Sequence, residues 1–104
     1  MYLIRDIMYC HPGKVRPLVE KFKTLSALGQ QIGMPKMKIM TDVVGEQYWT
    51  CVSEMEVENL QSWEKMMSDS QSADKEIMKK FEEAMKDYHS LVVRGRREIF
   101  KIEG

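Results

Sequence analysis

Net charge is the first thing this chain lacks. Sixteen basic and sixteen acidic residues cancel over 104 positions, which removes the electrostatic case for nucleic acid or an anionic membrane surface as a partner. A long apolar run is also missing. Arg5 and Asp6 interrupt the first ten residues, and no stretch approaches the roughly 18 to 20 apolar residues that a membrane span needs. A cytoplasmic protein without a cleaved signal is expected, with no membrane and no nucleic acid among its partners. There is no HExxH, CxxC pair, Walker loop or GxGxxG, and His11 and His89 without clustered carboxylates do not make a zinc site. No metal and no cofactor are expected. With no Ser/Pro-rich linker, repeat or low-complexity tract, residues 1–104 read as one domain.

What is present is an order of elements. Period-2 segments at 2–10, 36–44, 48–57 and 96–102 flank a helical stretch at 14–32 and another from Leu60 to about Tyr88. This βαββαβ order predicts an α+β, ferredoxin-like fold: a four-stranded antiparallel sheet with helices on one face. In the first helix, Val15, Leu18, Val19, Phe22, Leu25, Gly29 and Ile32 form one apolar stripe. Pro17 falls in the first turn, where it is tolerated. Gly29 is expected to let the helix approach the sheet, and Gly33-Met34-Pro35 to end the helix. In the second helical region the polar run Ser68-Asp69-Ser70-Gln71-Ser72 separates Leu60, Trp63 and Met67 from Ile77, Met78, Phe81, Met85 and Tyr88, so a break is predicted near 68–72. Val44-Gly45-Glu46-Gln47 reads as the hairpin between strands two and three, and Arg94-Gly95 as the opening of strand four.

Both cysteines are expected to be reduced and buried. With the first and third strands taken as parallel neighbours, Cys10 and Cys51 lie about 16 Å apart, and a disulfide needs Cα atoms within about 7 Å.

Charge on a central strand is costly. Arg5 and Asp6 are adjacent in sequence, so they point to opposite faces. Glu54 on strand three and Arg97 or Glu98 on strand four lie within pairing range. One reading is an ion-pair network holding the sheet together. The other is a polar element at the base of a small-molecule pocket. In that second reading Asp6 and His11, at the strand-to-helix junction, are the catalytic candidates, and Arg5, Trp49, Glu54, Trp63 and Phe81 the substrate-binding ones. His89 is assigned to the end of the second helix as a stabilising cation. Among the ten methionines, Met37 and Met40 are three apart on a strand and point to opposite faces, so methionine reads as adaptable core filler and not a copper site.

The opening strand with His11-Pro12-Gly13-Lys14, the strand Tyr48-Trp49-Thr50 through Ser53-Glu54-Met55-Glu56, and the closing Gly95-Arg96-Arg97-Glu98-Ile99 resemble the NIPSNAP-like branch of the dimeric α+β barrel, antibiotic-biosynthesis-monooxygenase-like superfamily. The resemblance implies dimers whose sheets meet face to face and, in several branches, a pocket between sheet and helices. Haem-degrading branches typically use an Asn on the first strand with a Trp and a His on the second helix; this chain lacks that Asn and has no His there before His89. Two functional classes remain. One is a small-molecule-binding domain for a hydrophobic or aromatic ligand, in its catalytic form a cofactor-independent monooxygenase or isomerase. The other is a non-enzymatic homodimeric assembly or interaction domain. In either, apolar side chains of both parities on the strands predict a homodimer through the sheet face.

Overall fold

The computed structural model describes residues 1–72 and 75–104. Strands β1 (Tyr2–Cys10), β2 (Lys38–Thr41), β3 (Thr50–Val57) and β4 (Val92–Lys101) form one sheet in the order β2-β3-β1-β4. Helices α1 (Val15–Gln31), α2 (Leu60–Ser72) and α3 (Lys75–Ala84) complete the α+β plan, with a short 3-10 turn at Tyr88–Ser90. Every strand pair is antiparallel.

That geometry corrects the orientation expected for strands one and three, and with it the separation of the cysteines. Met8 stands opposite Cys51, and the Cys10 N–H donates to the Trp49 carbonyl at 2.8 Å. The two thiols are therefore diagonal neighbours on one sheet face. Diagonal Cα atoms lie about 7–8 Å apart, beyond ordinary disulfide reach, and both cysteines are free and buried.

The core sits between α1 and the sheet. Leu18, Val19 and Phe22 of the predicted stripe pack with Cys10 and Cys51, and Met8, Val15, Leu25, Ile39 and Met85 close around them. The end of α1 follows its sequence signal. Gly33 adopts φ +87°, Met34 N–H reaches the Gly29 carbonyl at 2.9 Å and Gly33 N–H the Gln30 carbonyl at 3.2 Å, the double bond of a Schellman cap. Gly29 faces Met34 of that cap, with 3.4 Å from a Cβ built there to the Met34 Cβ, so its partner is the turn and not the sheet.

Four boundaries differ from the sequence reading. The β2–β3 connection spans residues 42–49, longer than the predicted hairpin, because Asp42 Oδ1 accepts the Thr50 N–H at 2.8 Å and Thr50 Oγ1 donates to the Gln47 carbonyl at 2.9 Å. Those bonds hold Trp49 at φ +60°, which ends strand geometry there. Strand β4 begins at Val92 and runs through Gly95, where a Cβ would meet Met8 Sδ at 2.5 Å. The absent side chain of Gly95 is what lets Met8 lie across the strand. Helix α2 continues through the polar run 68–72 to Ser72, since each such residue costs an interior turn at most about 0.7 kcal/mol; residues 73–74 lie outside the described residues. Helix α3 stops at Ala84, short of Tyr88, where Lys21 Nζ caps the Ala84 and Lys86 carbonyls at 3.2 and 2.6 Å.

The chain is a slab of 38 × 35 × 18 Å, one sheet and one helical layer thick. Ile4, Asp6, Met8 and Cys10 point to the helices; Leu3, Arg5, Ile7 and Tyr9 point to the uncovered face. No described helix is long and apolar enough to cross a membrane.

Candidate functional site

A cavity of about 260 Å³ opens between the sheet and the helices. Its floor is Ile4 and Asp6 of β1, Met55 of β3 and Arg97 of β4. Leu25, Ser26 and Gly29 of α1 form one wall, and Met34, Pro35 and Met37 of the following turn another. Trp63 of α2 and Met78 and Phe81 of α3 close it. Each element arrives for a local reason. Asn59 Oδ1 accepts the Ser62 N–H at 2.7 Å and starts α2, which sets Trp63 one turn in. The Schellman turn brings Met34 and Pro35 back over Gly29. Ser26 Oγ accepts the Met37 N–H at 3.0 Å and ties the turn to the helix.

The polar element is an ion pair. Asp6 and Arg97 are in register on neighbouring strands; Arg97 Nε donates to Asp6 Oδ1 at 2.6 Å and Nη2 to Oδ2 at 3.3 Å. The guanidinium lies 5.1 Å from the Trp63 ring centroid, a cation–π distance. An apolar, Met-lined cavity with one oriented polar group is the usual make-up of a small-molecule site. Methionine lets such a wall adapt to its occupant.

The structure brings together three of the sequence-derived candidates, Asp6, Trp63 and Phe81, and sets the others elsewhere. Arg5 and Glu54 lie on the uncovered face, joined at 2.6 Å, with Glu98 at 3.5 Å from the same guanidinium. Trp49 lines a separate open groove with Gly13, Arg16, Asp42 and Tyr48. His11 is an exposed residue of the β1–α1 turn whose carbonyl accepts the Lys14 N–H at 3.0 Å; it does not line the cavity. His89 packs on Tyr88 with ring centroids 4.0 Å apart. Among the described residues, no group of three or more His, Cys, Asp or Glu could hold a metal ion. The sequence reading named Arg97 only as a pairing partner and left out Ser26, Gly29 and the four methionines. The antiparallel register, which places residue 97 beside residue 6 on the helix-facing side, is the signal that would have found Arg97.

The two charged clusters should respond differently to truncation. Arg5→Ala takes the cation from Glu54, only 14% exposed, while Glu98 keeps Arg96 at 3.5 Å, and a loss of about 1–3 kcal/mol in chemical denaturation is expected. Asp6→Ala releases an Arg97 that is 47% exposed and can hydrate, so about 1 kcal/mol or less is expected. Equal unfolding midpoints for Arg5→Ala and the wild type would show that the uncovered-face cluster is not structural.

No protein-family model and no curated protein matches the chain. Solved structures do. A NIPSNAP-like domain protein from Burkholderia xenovorans aligns over 98% of this chain and 84% of its own, with a TM-score of 0.76 at 15% identity. A NIPSNAP family protein from Agrobacterium tumefaciens aligns over 96% and 90%, with a TM-score of 0.75 at 11% identity. An antibiotic biosynthesis monooxygenase aligns over the full length of both chains, with a TM-score of 0.68 at 9% identity. The chain has the ferredoxin-like α+β fold shared by NIPSNAP-like and antibiotic-biosynthesis-monooxygenase-like proteins.

Proposed function

We propose that this protein binds a small apolar or aromatic molecule in the cavity between sheet and helices. The observation that carries the reading is the cavity itself: apolar on every wall, with a single ion pair on its floor backed by an indole. In its catalytic form the reading is a cofactor-independent monooxygenase or isomerase. Arg97 N–H groups would stabilise negative charge developing on a substrate oxygen, and Asp6 is the one carboxylate among the described residues that line the cavity. The similarity in fold to an antibiotic biosynthesis monooxygenase is compatible with that chemistry but bears only on the fold.

Binding linkage provides the test. A ligand at 100 times its Kd adds about 2.7 kcal/mol to stability, or roughly 10 °C or more in melting temperature for a chain of this length. A library of apolar and aromatic compounds should contain members that produce such a shift. Gly29→Ala should raise the melting temperature of the free protein, since Ala stabilises a helix interior by up to about 1 kcal/mol over Gly. Its methyl, directed at Met34, should weaken the ligand shift. A library without a single hit would favour the second reading.

That second reading is a homodimeric assembly domain. It is favoured by the sheet face away from the helices, where Leu3, Met40, Val52 and Phe100 supply part-exposed apolar surface from every strand, while Ile7 and Tyr9 on the same face are already buried. Val43, Val44 and Tyr48 of the β2–β3 connection add exposed apolar side chains, at 94%, 95% and 86%. The two readings are compatible in one molecule, because the cavity and the uncovered face lie on opposite sides of the sheet.

A further inference from the structure

The cavity contains two full charges and no net charge. Asp6 and Arg97 are the only ionisable groups among its described lining residues, and they are joined through two nitrogens and both carboxylate oxygens. Each Asp6 oxygen thus has one of its two lone-pair sites engaged by Arg97. Arg97 has five N–H donors and gives two to Asp6; Trp63 lies 5.1 Å from the guanidinium, and on this 47% exposed side chain the other three donors are open to water or to an occupant of the cavity. Ser26 Oγ already accepts the Met37 N–H. The site thus presents hydrogen-bond donors from a neutralised cation, surrounded by apolar side chains.

We infer that Asp6 acts as a charge filter, neutralising Arg97 so that the cavity takes uncharged, apolar ligands carrying a hydrogen-bond acceptor, such as a ketone, and turns away carboxylates. The inference rests on the small-molecule reading above. A carboxylate entering the cavity gives up its hydration, which is costly in apolar surroundings unless a cation repays it. Here the attraction of Arg97 is opposed by Asp6, whose oxygen is 2.6 Å from the same guanidinium, so the two Coulomb terms largely cancel. A neutral carbonyl gives up far less hydration and still accepts a bond from Arg97. In this role Asp6 is a positioning and specificity residue acting through Arg97.

Three probes of nearly equal shape separate the contributions: 2-acetylnaphthalene, 2-naphthoate and 2-ethylnaphthalene, measured by equilibrium dialysis at pH 7.5. In the wild type, acetylnaphthalene is expected to bind several-fold more tightly than ethylnaphthalene and at least tenfold more tightly than naphthoate. In Asp6→Asn, which keeps the shape but unmasks the Arg97 charge, the ratio of naphthoate to acetylnaphthalene affinity should rise at least tenfold. Arg97→Met, a second variant for use if Asp6→Asn does not fold, should abolish the preference for acetylnaphthalene over ethylnaphthalene. Naphthoate binding as well as acetylnaphthalene in the wild type, or a ratio unmoved in Asp6→Asn, would overturn the charge filter while leaving the cavity as a binding site. Failure of all three probes to bind the wild type would overturn the cavity reading and the filter together.

Discussion

Light scattering at micromolar concentration is expected to report about twice the 12.2 kDa chain mass, and a Val52→Lys variant about one chain mass. The expectation rests on the uncovered face. The slab is only 18 Å thick, and its radius of gyration of 14.1 Å exceeds the roughly 13 Å of a compact domain of this length. A second sheet packed on the free face would make a closed object of it. A stable interface removes about 800 Å² from each partner, close to a ninth of the 7201 Å² this chain exposes. Val52 stands opposite Ile7 and Met40 near the middle of that face, so a lysine there places a charge on each side of a two-fold contact. Lys79→Glu, on the exposed side of α3, should leave the mass unchanged. A wild-type monomer would exclude the assembly reading, and a dimer insensitive to Val52→Lys would move the contact to another surface.

The centre of that face is not purely apolar. Arg5, Glu54 and Glu98 form a bonded cluster there, Arg5 lies 5.3 Å from the Phe100 ring, and Arg94 lies 4.6 Å from the Tyr9 ring. Charges already paired and stacked on aromatic rings can be covered at lower cost than free ones. The same pairs show how far the sequence could be read. That Arg5 and Asp6 face opposite sides, and that Glu54 and Arg97 lie within reach of them, follows from a period of two and the strand order. The division of these residues between a cavity and an outer face needed the register, which strand patterns as apolar on both parities as Leu3–Cys10 do not fix. Trp63 and Phe81 were legible as members of helical stripes. The cavity they close was not, because it depends on a turn whose hydrogen bonds, Ser26 to Met37 and Gly29 to Met34, join residues with no shared periodicity. Trp49 was misplaced for a related reason: its positive φ is imposed by Asp42 and Thr50, a local bond pattern that interrupts an otherwise strand-like run.

Alkaline pH should destabilise the protein through Cys51. Its side chain is fully buried, and burial, with a smaller contribution from neighbouring Cys10, pushes the thiol from 9.0 up to about 12. Burial also raises Cys10. The folded state therefore keeps a proton that the unfolded chain has already released, and stability falls wherever the folded state binds the extra proton. The contribution is fully present below about pH 9 and is lost as the pH rises towards 12. Within that window stability should decline as the pH rises, because the unfolded chain releases a proton that the folded state retains. The informative quantity is the difference from Cys51→Ala, which removes the thiol and keeps a small apolar side chain. Denaturant unfolding of both proteins between pH 8 and pH 10.5 should show a shallower decline for the variant. Thiol titration adds an independent check: two thiols per chain should react in denaturant without prior reduction, and neither should react rapidly in the folded protein at pH 8, because Cys51 is protonated there and both sulfurs are buried. Parallel pH slopes for wild type and Cys51→Ala would show that the folded protein accommodates the thiolate, and the diagonal pair of buried cysteines would then be ionisable in the native state.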